Sequence, residues 1–184
     1  MLISIVYDSG YGRTARQAAA VAEGVRQVPG ADVKVIAVAD GSIPWDRLEA
    51  SDAIIFGSPT YNGTLSARLK QFMEETTGPV WRELKWRNKL AAGFTTSGAN
   101  NGDKLNTLVS MALFAAQHGM IWVGLDLLPG EGDDALNRHG SWIGAMATSL
   151  QGEDPETAMV AGDLKTASYL GKRVAELAGR LAGK

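Results

Sequence analysis

A short segment near the start of the chain carries the residue types that bind a phosphate group. Hydroxyl side chains stand at Ser9 and Thr14, glycines occupy positions 10 and 12, and a helical pattern begins at Thr14. Glycines allow the backbone to approach an anion closely, and hydroxyls and helix-start N–H groups can donate hydrogen bonds to it. The predicted phosphate segment comprises Ser9, Gly10, Tyr11, Gly12, Arg13 and Thr14.

The same residues would also fit a capped helix behind an ordinary turn. No Gly-Lys-Ser or Gly-Lys-Thr sequence occurs in the chain, and the glycines do not match the Gly-x-Gly-x-x-Gly spacing of dinucleotide-binding loops. A terminal monophosphate is therefore favoured over ATP or a pyrophosphate as the ligand.

Two later polar segments have the groups needed to hold a flat ring by its face and its edge. The first combines a rigid proline, a pliant glycine and an aromatic side chain, and the second offers hydroxyl, amide and backbone groups. Either one alone would be an ordinary surface turn. Counting the phosphate segment as the first, the candidate binding residues are Pro59, Thr60, Tyr61, Asn62 and Gly63 in the second segment, and Thr96, Ser97, Gly98, Ala99, Asn100 and Asn101 in the third.

Strand and helix patterns alternate along the chain and must position these segments. Apolar, β-branched runs predict strands at 2–7, 33–38, 52–57, 89–96 and 120–124. Apolar residues three and four apart predict helices from Thr14 to before Pro29, at 65–75, at 103–118 and at 156–181, with a short piece at 45–50.

Strands that alternate with helices favour right-handed crossovers and a parallel sheet covered on both faces. The predicted fold class is α/β, with a doubly wound five-stranded parallel sheet in a three-layer α/β/α sandwich. In such sheets ligands bind outside the carboxyl ends of the strands, which is where all three polar segments fall. We therefore expect the three segments to line one site.

The periodicity fails between residues 125 and 155, where several glycines and Trp142 stand among small residues. Loops of this length are usually functional or flexible. We expect a single domain over 1–184, with a long loop at about 125–155 that elaborates a site or an oligomer interface. A disordered insertion is the alternative.

Composition excludes several classes of function. Eighteen Lys and Arg against 20 Asp and Glu give a net charge of −2, which disfavours nucleic acid as a partner. The chain has no cysteine, so thiol chemistry and thiolate metal sites are excluded, no metal is expected, and redox chemistry would need a bound cofactor. No apolar run is long enough for a membrane anchor and no signal peptide is recognisable, so we expect a cytoplasmic protein.

Five stretches of the sequence form a set that is more specific than any one of them. They are Ser9-x-Tyr11-Gly12-x-Thr14, Gly57-Ser58-Pro59-Thr60-Tyr61, Leu65-Ser66-Ala67-Arg68-Leu69-Lys70-Gln71-Phe72, Phe94-Thr95-Thr96-Ser97-Gly98 and His118-Gly119-Met120. Together they resemble the WrbA-type NAD(P)H:quinone oxidoreductases, which have the flavodoxin-like fold, and the resemblance covers about 2–123 and the last helix.

The resemblance implies an FMN cofactor, with its phosphate in the first segment and its ring and ribityl chain against the other two. It implies NADH or NADPH as the electron donor and two-electron transfer to quinones or similar acceptors. Trp81 matches an aromatic residue beside the quinone and nicotinamide pocket, and Trp81 and His118 are the catalytic candidates. A homo-oligomer, a dimer or tetramer, is also implied, with neighbouring subunits completing the pocket.

The sequence departs from the family pattern at two places. Gln117-His118 stands where two adjacent histidines are usual, and Tyr61-Asn62 stands where an arginine and an aromatic residue are common. His118 could instead be a helix cap or packing residue, and Trp81 an ordinary core residue. A flavodoxin-type one-electron carrier remains the alternative function, although such carriers are strongly acidic. A phosphoacceptor domain is disfavoured, because Gly57-Ser58 stands where it needs a carboxylate.

Overall fold

The computed structural model describes residues 1–150, 152, 154 and 157–183. Its strands are β1 (Leu2–Tyr7), β2 (Asp32–Ala37), β3 (Ala53–Tyr61), β4 (Thr64–Leu65), β5 (Leu90–Ser97), β6 (Ile121–Trp122) and β7 (Ala145–Thr148). Its α-helices are α1 (Arg13–Arg26), α2 (Trp45–Ala50), α3 (Ala67–Glu75), α4 (Pro79–Arg82), α5 (Lys104–Gln117) and α6 (Ala161–Leu181), and a 3₁₀ turn spans Val38–Asp40.

The central sheet confirms the predicted parallel α/β architecture. Its strands run in the order β2-β1-β3-β5-β6, and every pairing between these neighbours is parallel. Side chains that alternate along β1 enter different layers: Ile3 and Ile5 belong to the core shared with α1 and α6, and Val6 to the core shared with α3 and α5. Both faces of the sheet are therefore covered, which explains its continuous apolar strands.

The strand predicted at 120–124 is only two residues long, and a second short strand from outside that range completes the same edge of the sheet. β6 pairs with the start of β5, at Leu90 and Ala91, and β7 pairs with its end, from Phe94 to Ser97. Gly144 permits the second pairing, because a Cβ atom there would overlap the carbonyl oxygen of Gly93. Strand β7 thus lies inside the segment 125–155 predicted as loop. Its four residues are too few, among the glycines of that segment, to give a recognisable strand pattern.

Two other boundaries differ from the prediction. β3 extends past residue 57 through Pro59 to Tyr61, so most of the second polar segment is strand, closed by a turn at Asn62 and Gly63 with φ of 48° and 83°. The last helix begins at Ala161, after the extended residue Val160. The predicted helix start at Glu156 and the predicted loop end at Pro155 lie outside the described residues.

Helices α1 and α6 pack closely at two glycines. A Cβ atom on Gly24 would overlap the carbonyl oxygen of Ser168, and one on Gly171 would overlap that of Val21. This contact fixes the axis of α1, and therefore the position at which its first turn faces the end of β1.

We expect Gly171→Ala to lower the free energy of unfolding by about 1–3 kcal/mol or more, because the added methyl group must separate two helix backbones. Urea unfolding of the ligand-free protein measures this change. Glu176→Ala is the control, since it also places an alanine on α6 but at an exposed position. Equal destabilisation by the two substitutions would contradict the close-packing account.

Candidate active site

A cleft of about 500 Å³ opens where the carboxyl ends of β1, β3 and β5 meet. The three polar segments predicted from the sequence all contribute to its walls. The lining residues are Ser9, Gly10, Tyr11, Arg13, Thr14, Pro59, Thr60, Tyr61, Thr96, Ser97, Gly98, Ser149 and Gly152. All except Ser149 and Gly152 are predicted site residues; these two follow β7, which the sequence pattern does not reveal.

The first segment turns the start of α1 toward this cleft. Gly12 immediately precedes the helix with a φ of 81°, a backbone conformation that residues other than glycine rarely adopt. The Ser9 hydroxyl accepts a hydrogen bond from the Ala15 N–H at 3.2 Å, and its own proton can still be donated elsewhere. The helix start and Ser9 together form a site suited to an anion.

A buried pair of hydroxyls connects the first segment to β5. The Oγ1 atoms of Thr14 and Thr96 lie 2.9 Å apart, and the two residues are 1% and 3% exposed. One hydroxyl proton is sufficient for this bond, so the second can be donated to an acceptor in the cleft.

Thr60 contributes to the cleft mainly through its backbone. Its hydroxyl lies 2.8 Å from the Oγ1 atoms of both Thr95 and Thr107, inside a buried cluster that joins β3, β5 and α5. The neighbouring Tyr61 is 40% exposed, and Tyr11 across the opening is 72% exposed. Burial, followed by the nearby Tyr11 and Asp8, raises the pKa of Tyr61, so its phenol is neutral near pH 7. Two aromatic rings therefore stand at the mouth of the cleft.

The third segment is folded around a lysine side chain. Lys104, the first residue of α5, is 1% exposed, and its Nζ donates to the carbonyls of Ala99 and Asn100 at 3.0 and 2.8 Å. It also donates to the Ser97 hydroxyl at 3.0 Å. Burial lowers the pKa of Lys104 to about 8. The role of Lys104 is not visible in the sequence, because a lysine near a helix end is typical of a solvated charge.

The remaining predicted binding residues lie around the cleft without lining it. Gly12 shapes the first turn, Gly63 ends the β3 to β4 turn, and Asn62 belongs to a neighbouring groove. In the third segment, the Asn101 Oδ1 accepts from the Asp103 N–H at 3.3 Å. Direct contact of these residues, and of Ala99 and Asn100, with a ligand stays a prediction.

The groove beside the cleft contains an arginine that the sequence analysis did not single out. Arg68 of α3 lines it together with Tyr61 and Asn62, and its Nε lies 3.3 Å from Oδ1 of the buried Asp8. A positive group therefore reaches this region from α3, although the second segment lacks the arginine common in the family.

Trp81 and His118 lie in a second groove, of about 660 Å³, which shares no lining residue with the cleft. Trp81 is 44% exposed, so it is not a core residue. In His118, Nδ1 lies 3.0 Å from the Phe114 carbonyl and Nε2 lies 3.0 Å from the Thr76 hydroxyl. Burial lowers the pKa of His118. Both ring nitrogens of His118 are thus engaged within the protein, and the catalytic roles of Trp81 and His118 stay predictions.

The described residues, 1–150, 152, 154 and 157–183, include no group of three or more His, Cys, Asp or Glu side chains placed to hold a metal ion. They also include no helix that is both long and apolar enough to span a membrane.

Comparisons with known proteins identify the family. Residues 44–128 match the model of the NADPH-dependent FMN reductase family. The chain is 38% identical to the NAD(P)H dehydrogenase (quinone) of Archaeoglobus fulgidus, over 97% of this chain and 98% of that protein. It is 37% identical to Flavodoxin FldP of Pseudomonas aeruginosa, over 96% of each.

Among solved structures, the flavodoxin-like WrbA-like protein from Agrobacterium tumefaciens superposes with a TM-score of 0.78 at 40% identity, covering 97% of this chain and 98% of that one. The fold, the site motifs and the similarity over nearly the full length of these relatives agree. The chain therefore belongs to the WrbA-type family of flavodoxin-like NAD(P)H:quinone oxidoreductases.

Proposed function

We propose that this protein is an FMN-dependent enzyme that takes two electrons from NADH or NADPH and passes them to a quinone or similar acceptor. The observation that carries the proposal is the convergence of three polar segments on one cleft, each with the groups suited to one part of FMN. Bound FMN supplies the two-electron redox chemistry that amino-acid side chains lack.

The cleft fits FMN in size and in donor set. Its volume of about 500 Å³ lies within the range of small-molecule sites. Ser9, the Thr14 and Thr96 hydroxyl pair and the start of α1 would hold the phosphate. Gly10 allows the first segment to lie close to Tyr61, since a Cβ atom at position 10 would lie 2.7 Å from the Tyr61 hydroxyl. The strand ends at Pro59 to Tyr61 and Ser97 to Gly98 would border the ring and the ribityl chain.

The chain's own contribution to the reaction is positioning. Tyr11 and Tyr61 offer ring surfaces at the mouth of the cleft, where the flat nicotinamide and quinone rings must arrive in turn. Efficient transfer requires reacting atoms about 3–3.5 Å apart, so alignment of the rings matters more than a proton donor. His118 is neutral, and both of its ring nitrogens are hydrogen-bonded within the protein. This agrees with a mechanism that uses no histidine as a general acid.

We further propose that the protein works as a homo-oligomer, a dimer or tetramer, in the cytoplasm, where its nicotinamide donors are available. Leu105, Val109 and Leu113 form an exposed apolar stripe on α5, at a spacing of four residues. Leu113 lines the same groove as Trp81. Monomeric proteins rarely leave such surfaces open, so a second copy would cover the stripe and bring its own cleft to Trp81.

One observation favours a second candidate function, one-electron transfer between partner proteins. Flavodoxin FldP, which is similar over nearly the whole chain, bears the name of such a carrier. A carrier would bind FMN through the same cleft but would need a separate reductase to accept electrons from NAD(P)H.

For the cofactor, we expect the double substitution Ser9→Ala, Thr14→Ala to weaken FMN binding by about 1.5–3 kcal/mol for each phosphate hydrogen bond lost. Fluorescence titration of the apoprotein measures the affinity. The matched control is Ser4→Ala, Ser51→Ala, which removes another buried hydroxyl pair, 2.8 Å apart and away from the cleft. Unchanged affinity in the first variant, or equal losses in both, would reject the phosphate assignment.

For the assembly, we expect Leu113→Asp to lower the mass measured by sedimentation, because a charge would enter the apolar interface. Leu181→Asp should leave the mass unchanged, since Leu181 is similarly exposed, at 66% against 61%, but ends α6, which packs on the opposite face of the sheet from α5. A monomeric wild type with full flavin loading would contradict the proposed assembly.

For the reaction, we expect NAD(P)H oxidation by quinone without any second protein, and parallel double-reciprocal lines at several fixed quinone concentrations. The physical reason is that two flat rings use one site in succession, so the first product leaves before the second substrate binds. Intersecting lines would reject the shared site, and turnover that requires an added reductase would establish the carrier function instead.

A further inference from the structure

We propose that Lys104 is a positioning residue for the cofactor, whose buried ammonium group holds residues 97–100 in the conformation that binds FMN. This inference rests on the proposed FMN function and adds a residue that contacts the protein rather than the ligand. Lys104 lies behind the third segment, while Ser97 and Gly98 of that segment line the cleft.

The hydrogen bonds of Lys104 converge on this segment. Its Nζ reaches the Ser97 hydroxyl, the Ala99 carbonyl and the Asn100 carbonyl at 2.8–3.0 Å. The Ser97 hydroxyl itself donates to the Ala99 carbonyl at 2.7 Å, so Ser97 presents only lone pairs to the lysine. The Lys104 ammonium group thus donates to three acceptors that lie within four consecutive residues, 97–100.

A fourth contact ties the lysine to β7. The Thr148 hydroxyl lies 3.2 Å from Nζ, a fourth contact that must share one of the three ammonium protons, and the Thr148 N–H donates to Oδ2 of Asp163 at 2.9 Å. Ser149, the next residue, lines the cleft. Lys104 therefore joins two walls of the cleft, the end of β5 and the end of β7, which the sequence separates by about fifty residues.

The charged groups that face Lys104 account for its protonation. Burial lowers its pKa to about 8, Asp163 of α6 opposes that shift, and Arg138 adds to it. Burial alone would raise the pKa of Asp163, but hydrogen bonds from His139 and Arg138 lower it. Asp163 therefore stays ionised, and Lys104 is mostly an ammonium group at pH 7.

Loss of the Lys104 proton removes hydrogen bonds that the segment needs. An ammonium group has three donors, whereas a neutral amine has two and presents a lone pair to the surrounding oxygens. The two remaining donors can serve only two of the three acceptors at Ser97, Ala99 and Asn100, so the segment loses at least one of its hydrogen bonds to the lysine. The wild-type affinity for FMN should accordingly fall as the pH rises through about 8.

The test is the FMN dissociation constant of the full-length apoprotein, measured by fluorescence titration from about pH 7 to about pH 9.5. The phosphate of FMN stays doubly ionised throughout, because its second pKa is about 6. Lys104→Met keeps the length of the side chain without the charge. We expect it to weaken FMN about tenfold or more at pH 7 and to abolish the loss of affinity near pH 8.

Lys89→Met is the matched control. Lys89 is also partly buried and donates to two backbone carbonyls, those of Glu49 and Ser51 at 2.6 and 2.7 Å, but it precedes β5, at the end away from the cleft. This variant should retain both the wild-type affinity and its pH profile. A merely structural role of Lys104 would lower stability, which unfolding measures separately, without removing a titration from FMN binding.

The outcomes separate the two proposals. A wild type that does not bind FMN rejects the proposed function. A wild type that binds FMN, with Lys104→Met binding equally well, rejects the role of Lys104 and leaves the function standing. If Lys104→Met does not fold, the wild-type profile decides, and an affinity that stays constant between pH 7 and about 9.5 overturns the inference.

Discussion

The register between β3 and β5 is the constraint on which the site depends. Phe56 pairs with Gly93, Gly57 pairs with Phe94 and Pro59 pairs with Thr96. Gly57 leaves room for the Phe94 ring, which would overlap any Cβ atom at that position. A shift of one residue would turn every side chain on the strand to the other face. With the register held, the second and third segments end at the same level and share one cleft with the first.

Hydroxyl clusters then connect the layers that the register aligns. The Thr14 and Thr96 pair joins α1 to β5, and Thr60 with Thr95 and Thr107 joins β3 and β5 to α5. Buried polar groups that satisfy one another specify a single arrangement, whereas apolar packing tolerates small displacements. These hydrogen bonds therefore fix the walls of the cleft more precisely than the hydrophobic core alone would. A site that aligns a flat cofactor requires such precision.

The sequence was sufficient to predict the parallel sheet and most of the cleft, because buried strands and Gly-rich, hydroxyl-bearing segments have strong local patterns. It was insufficient where long-range contacts decide. The pairing of β7 with β5 depends on the close contact of Gly144 with Gly93. Ser149 reaches the cleft only through that pairing. Lys104 and Arg68 gain their roles from partners folded around them. His118, which belongs to a family motif, and Trp81, which matches a family aromatic residue, lie in a groove separate from the cleft of their own chain.

Two cationic side chains stand next to the proposed cofactor site. Arg68, paired with the buried Asp8, lies beside the mouth of the cleft, and Lys104 lies behind its third wall. A nicotinamide donor carries negative phosphates, so positive groups near the entrance favour its approach. Neither charge is part of a strongly acidic surface of the kind that protein electron carriers present, and the net charge of −2 agrees with an enzyme acting on small molecules.

Binding of FMN in this cleft and its direct reduction by NAD(P)H can be measured in one experiment: anaerobic addition of NADPH, and separately NADH, to the FMN-loaded protein, followed by visible absorption. We expect one FMN per chain, bleaching of the flavin by at least one of the two donors, and recovery of the absorption when quinone is added. A protein that takes up no FMN, or an FMN-loaded protein that neither donor bleaches, would rule out the proposed function.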